Sequence, residues 1–227
     1  MLAALVGLIV FFGYESWTWP AVRALARKNP KTTAFIERFK EQRRQEGKSA
    51  QVSWKWAAYE SISDSLKRAV LVDEDINFFS HRGFDLGEMG NAVKEAVLDA
   101  EAPRGASTIT QQVAKNLWLS PSPDPLRKLK EAALTVELEY FLSKKRILEI
   151  YLNVAEFGPG VYGAEAAAEY YFRKSAAELT EFEAAQLAAS LPKPSRWHPG
   201  SDSQAYWKRV QLTRERMEKA EFLEKRI

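Results

Sequence analysis

Two carboxylates in this sequence stand where they could do acid–base work. Glu74 is the middle of three consecutive acids, Asp73-Glu74-Asp75, that close the apolar run Val70-Leu71-Val72. Like charges this close, in apolar surroundings, push at least one pKa upward, which is what a carboxylate needs to accept a proton near neutral pH. A charged helix end running into a loop explains the same triplet, and on composition alone it is the plainer reading. Glu131 is the second carboxylate. Arg127 lies four residues before it and Lys128 three, so the three share one face of a helix, as an ordinary intrahelical ion pair also would. Between residues 104 and 146, Arg104, Lys115, Arg127, Lys128, Lys130, Lys144, Lys145 and Arg146 face only Asp124, Glu131, Glu137 and Glu139. A basic excess of that kind can receive a phosphate or diphosphate. The small residues Gly105, Ala106 and Ser107, just ahead of a helix start at Thr108, offer backbone donors for the same class of anion.

Composition leaves the chemistry to such carboxylates. The 227 residues contain no Cys and only two His, His81 and His198. Thiol nucleophiles, disulfide scaffolds and thiolate metal sites are therefore excluded, and a His-rich metal centre is not expected. With 46% hydrophobic and 28% charged residues the chain falls in the globular class rather than the disordered or polytopic membrane classes. The net charge of +3 is unevenly spread. Nine Lys/Arg stand against three Glu from Arg23 to Lys48, and the remainder beyond is slightly acidic. A nucleic-acid binder would spread its basic face through the folded domain, so no nucleic-acid partner is expected.

The basic stretch follows an apolar end, Met1 to Tyr14, with no charge before Glu15 and an aromatic pair at Trp17 and Trp19. This reads as a membrane anchor over residues 1–22, a basic juxtamembrane segment over 23–50 that can lie on anionic head groups, and a catalytic domain over 51–227. A cleaved signal core and a buried hydrophobic helix remain as alternatives. The positive-inside rule conflicts with an outward-facing body, since the basic residues follow the apolar run.

Positioning these residues falls to helices. Periodicity predicts helices at Ala57–Val70, Phe84–Ala100, from Thr108, from Pro125, from Ser143 to about Val154, at about Val161–Tyr171, Thr180–Ser190 and Gln204–Lys219, with a loop at Ala102–Ala106. Thr108 and Gln111 have capping-box spacing, with Ile109, Val113 and Leu117 on one face. Asp124 and Pro125 give an N-cap and first residue, and Leu126, Leu129, Ala133, Val136 and Tyr140 form the expected apolar stripe of that helix. No strand alternation is evident. The expected fold class is all-α, as one domain behind a membrane anchor helix.

Taken in order, these stretches resemble the motifs of the peptidoglycan glycosyltransferases, the lysozyme-like domain of class A penicillin-binding proteins and their monofunctional relatives. Glu74-Asp75-x-x-Phe78-x-x-His81-x-Gly83 resembles the first motif. Gly105-x-Ser107-Thr108-Ile109-Thr110-Gln111-Gln112 resembles the second, and Arg127-Lys128-x-x-Glu131 the third. Lys144-x-x-Ile147-Leu148-Glu149-x-Tyr151-Leu152-Asn153 and the segment from Gly163 to Phe172 resemble the fourth and fifth. A mild departure is His198, where the family more often has Asn. The sequence ends without room for a transpeptidase domain, so the likeness is to the monofunctional type.

The resemblance implies a lysozyme-like fold and polymerisation of lipid II into glycan strands, with inversion and release of undecaprenyl pyrophosphate. It implies Glu74 as general base. Gln111, Gln112, Lys115, Arg127, Lys128 and Lys144 would bind substrate, the cations stabilising the departing diphosphate. Glu131 would organise them or hold a divalent cation, Mg or Mn, with no organic cofactor. Asp75, His81, Ser107, Thr108, Glu149 and Asn153 would support the site. Expected partners are lipid II, the growing glycan, membrane lipids and other wall-synthesis proteins. The expected location is the bacterial inner membrane, single-pass, with the catalytic domain on the periplasmic or outer face. A lysozyme-like lytic transglycosylase and a non-catalytic scaffold are the alternatives.

Overall fold

A computed structural model of the chain describes residues 13, 17–91, 107–122 and 124–227. The expected anchor and the expected loop at Ala102–Ala106 fall mostly or wholly outside them, as do Arg104, Gly105 and the second half of the Phe84–Ala100 helix. No helix among the described residues is long and apolar enough to cross a membrane.

The fold is mostly helical. Among the described residues, eight helices with both ends in view carry it: α1 Ala34–Gln45, α2 Asp64–Glu74, α3 Ile109–Trp118, α4 Pro125–Phe141, α5 Lys144–Val154, α6 Ala164–Phe172, α7 Glu181–Ser190 and α8 Gln204–Lys219. A further helix opens at 86 and reaches the edge of the described residues at 91. Side-chain caps fix most starts. Thr33, Ser63, Thr108, Asp124, Ser143, Thr180 and Ser203 each accept a first-turn backbone N–H, with full capping boxes at Thr108 and Thr180. Each cap contributes about 1 kcal/mol.

The all-α expectation needs correction, because a three-stranded sheet is present in the order β1-β3-β2. β1 (Ser53–Trp54) runs parallel to β3 (Val161–Tyr162), and β2 (Glu156–Gly158) is antiparallel to β3. Strands of two or three residues are too short to show alternation, which is why periodicity passed over them. The helix expected from Val161 therefore begins three residues later. Gly163 makes the break: its φ is +84°, and a Cβ there would meet the Asn153 carbonyl oxygen at 2.8 Å. The helix expected from Ala57 likewise begins at Asp64, after a 3-10 turn at Tyr59–Ser61, where Ser63 caps it.

Two groups of helices build the core. α7 is buried on nearly every side, with Ala184, Ala185, Leu187, Ala188 and Ala189 at 0% exposure, and its small side chains let α2 and α8 approach closely. α3 packs in turn against α4 and α5. Part of the chain ahead of residue 51 packs onto this core. Val22 and Leu25, in a 3-10 turn against α4, and Ile36 of α1 are buried.

The stripe expected on α4 faces the wrong way. Leu126, Leu129, Val136 and Tyr140 are exposed, while Glu131, Leu134, Thr135 and Leu138 point inward. The inward face includes a charge, and a pattern reading that counts Glu as outward cannot find it.

Candidate functional site

The two helix groups meet where the C-terminal end of α2 faces the first turns of α3. Asp75, which caps α2, accepts the Ile109 backbone N–H at 2.9 Å and Nε2 of His81 at the same distance. His81 Nδ1 accepts the Gly83 N–H at 3.1 Å, which places the ring proton on Nε2, toward Asp75. Thr108 Oγ1 donates to the Gly83 carbonyl at 2.7 Å. The first two motifs are thus tied to each other through buried bonds before any substrate arrives. Gly83 has φ +86°, and a Cβ there would lie 2.6 Å from Thr135 Cγ2. Glycine is needed because this loop presses directly on α4.

Glu74 opens into a cleft of about 370 Å³ lined by Asp73, Asp75, Ile76, Asp85, Glu88, Ser107, Thr108 and Arg216 among others. Its carboxylate accepts the Gln112 amide at 2.7 Å, and the Gln112 oxygen accepts the Tyr151 hydroxyl at 3.1 Å. Burial raises the Glu74 pKa to about 6, with Asp73 adding to the rise and the Gln112 bond opposing it. Burial also holds the Tyr151 phenol well above its ordinary range, so it stays a donor that fixes which way the Gln112 amide points. Tyr151 stands inside the fourth motif, but its spacing carries no sign of this bond to a different helix.

Glu131 is 2% exposed. Arg127 Nη1 donates to one of its oxygens at 2.7 Å and Lys128 pairs with the other. Arg127 is held further by its Nε bond to the Ser122 carbonyl at 2.6 Å. Lys115 lies within the fields of Glu131 and Glu74 and of the cations Lys128 and Arg127; burial lowers its pKa, and the two carboxylates oppose that. Lys115, Arg127, Lys128, Glu131 and Glu74 therefore form one electrostatic unit across α2, α3 and α4. A divalent cation does not fit Glu131, whose two oxygens are already spent on cationic side chains. Nor does His81 offer a metal a lone pair, since Nδ1 accepts from Gly83 and Nε2 faces Asp75.

Two expected substrate residues, Gln111 and Lys144, and two expected support residues, Glu149 and Asn153, are held by other parts of the fold. Gln111 is buried and closes the capping box, its oxygen accepting the Thr108 N–H at 3.0 Å. Lys144 is bound to Glu139 at 2.7 Å, the same carboxylate that takes the Thr110 hydroxyl, and lies over the Phe78 ring. It ties the start of α5 to α4 and the first motif rather than joining the cations around Glu131. Glu149 accepts Trp56 Nε1 and Arg146. Asn153, fully buried, bonds both backbone groups of Ala57 and so fixes the loop before α2 onto α5. His198 stacks on Tyr171 at 5.9 Å between centroids, far in role from any of these.

A second concavity lies beside Arg127. Trp19, Trp118, Leu119, Leu126, Leu129 and Ala133 wall a space of about 470 Å³ that Arg127 and Lys130 also line. The outward apolar face of α4 is part of this wall.

A half-buried carboxylate thus faces a cleft, with the buried Glu131 and its partners Arg127 and Lys128 beside it. Residues 36–218 match the family model described as Transglycosylase. The chain belongs to this family. Proteins named "Biosynthetic peptidoglycan transglycosylase" resemble it over most of their length. The one from Thiobacillus denitrificans is 41% identical over 95% of this chain and 92% of its own, and that from Neisseria gonorrhoeae 39% identical over 99% and 95%. The Alcanivorax borkumensis protein is 46% identical over 80% of this chain and 71% of its own.

Proposed function

We propose that this transglycosylase polymerises lipid II into peptidoglycan glycan strands, with Glu74 as the general base. The observation that carries this reading is the pairing of a proton-accepting carboxylate, poised near neutral pH, with a cationic cluster whose neighbouring wall is apolar. In the reaction Glu74 takes the proton of the acceptor sugar 4-hydroxyl. The freed oxygen attacks the anomeric carbon of the donor chain, the bond to the diphosphate breaks, and its electron pair leaves with the diphosphate, giving inversion. Lys115, Arg127 and Lys128 receive the developing negative charge. Glu131 fixes Arg127 and Lys128 so that this charge meets preoriented donors. Glu131 pairs with both of those cations, an arrangement that suits stabilising a departing diphosphate rather than donating a proton to a neutral glycan. The apolar wall of Trp19, Leu126 and Leu129 suits a lipid tail bonded to that diphosphate. It also suits a domain seated at the outer face of the bacterial inner membrane behind an anchor at residues 1–22.

Labelled lipid II and purified sacculi, offered separately to the full chain in detergent, test the reading. Polymer from lipid II with no fragments released from sacculi is the expected result. Fragments from sacculi without polymer would replace polymerisation by lytic cleavage, and binding of lipid II without elongation would leave a scaffold.

A further inference from the structure

Asp73 directly precedes the base, and its side chain is 0% exposed. Both partners come from α8, near the far end of the chain. Arg209 bonds Asp73 Oδ2 through Nε at 3.0 Å and Nη2 at 2.9 Å, and Arg216 bonds Oδ1 at 3.1 Å. Buried ion pairs are poor stabilisers, because desolvation offsets most of the attraction, so docking α8 on α2 calls for apolar residues rather than two guanidinium groups on one acid. The position gives the arrangement another use. Arg216 lines the same cleft as Glu74 and remains half exposed there.

We propose that Asp73, locked by Arg209 and Arg216, is a positioning residue that sets the charge around the Glu74 base and couples α8 to the catalytic step. This rests on the reading of Glu74 as the base. The groups facing Glu74 can be named from each side. Asp73 and Asp75 come from its own helix end, with Asp75 engaged by His81. α3 contributes Lys115 and the neutral Gln112, and α5 contributes the Tyr151 hydroxyl. Asp85 and Glu88 line the cleft, and α8 brings Arg209 and Arg216. Asp73 opposes ionisation of Glu74 and Arg209 favours it. Asp73 held by two cations sets opposed fixed charges beside the base, so removing either sign changes how readily Glu74 ionises.

Opposite variants should therefore move the reaction in opposite directions. Asp73→Asn removes the negative neighbour and leaves two cations, so the acid limb of kcat/KM for lipid II polymerisation should move down by about 0.5 to 1 pH unit. Arg209→Met leaves Asp73 undercompensated, and the limb should move up by a similar amount. Arg209→Lys keeps the charge and should restore the parent limb. Where Arg209→Met does not fold, Arg216→Gln, at a half-exposed position, should give a smaller upward shift. Folded variants whose acid limbs coincide with the parent's would overturn the proposal and leave Asp73 a structural tie. Glu74→Gln, measured alongside, separates the two claims: if it polymerises normally the base assignment fails, whereas an inactive Glu74→Gln with unmoved limbs elsewhere refutes the clamp alone.

Discussion

Asp73, Glu74 and Asp75 are carboxyls within one turn of chain, and their neighbours give them three tasks. Asp73 is neutralised by two arginines, Asp75 is spent on His81 and the α3 backbone, and Glu74 meets only the amide of Gln112. The one bonded by neither an arginine, a histidine nor a backbone N–H is the one the proposal leaves to accept a proton. Because its folded pKa is raised to about 6, above the ordinary value of 4.5, the folded state holds its proton more tightly than the unfolded state does. Stability from this group is therefore fully present below pH 4.5 and is lost as pH rises through about 6. Glu74→Gln removes that loss, so melting curves at pH 5 and pH 8 should show the variant gaining on the parent at the higher pH. A variant that lost ground at pH 8 would show that the carboxylate is not buried against its charge. Tyr151→Phe tests the other end of the bridge. Losing one buried hydroxyl bond costs about 1 kcal/mol, so kcat should drop by roughly fivefold with KM little changed, as Gln112 becomes free to turn its oxygen toward the base. An unchanged kcat would remove Tyr151 from the machinery.

At the scale of elements, the start of α3 does two things at once. The Thr108 capping box nucleates the helix, and the same hydroxyl reaches the Gly83 carbonyl, holding the loop that carries His81. Thr108→Val should lower the melting temperature by several degrees, in line with loss of a cap and a buried bond worth about 2 kcal/mol together. A melting temperature within a degree of the parent's would mean that α3 starts without it. Gly83→Ala should be worse, since the positive φ and the 2.6 Å approach to Thr135 must both be relieved. Much at this scale was legible in the sequence. The capping box at Thr108 and the N-cap at Asp124 are local chemistry, and local chemistry is written in neighbouring residues. The outward turn of α4 was not legible, because its buried face runs through Glu131, which is tolerated only through Arg127 and Lys128. Gln111 showed its partner Thr108 in the capping-box spacing, whereas Lys144 carried motif resemblance but not its partner Glu139. Asp73 was visible as part of an acidic triplet, yet its arginines lie 136 and 143 residues away.

For the whole molecule, the exposed apolar face of α4 sits beside the cations on which the proposed chemistry depends. Leu126 and Leu129 side by side with Arg127 and Lys130 suit a substrate with a charged head and a lipid tail. Leu126→Ser combined with Leu129→Ser should leave the melting temperature nearly unchanged, since both side chains already face outward. It should raise KM for lipid II in liposomes several-fold, with a smaller rise for a short-chain lipid II analogue in detergent. Equal rises in both settings would detach this face from the lipid. Arg127→Ala should raise KM in both, because its proposed contact is with the diphosphate rather than the tail.

The central claim is that Glu74 removes the proton that starts each glycosyl transfer, and polymerisation of labelled lipid II by Glu74→Gln tests it most directly. With the fold verified by its melting curve, the variant should form glycan strands at least about 10²-fold more slowly than the parent, while still binding lipid II. Strands produced at the parent's rate would contradict the account.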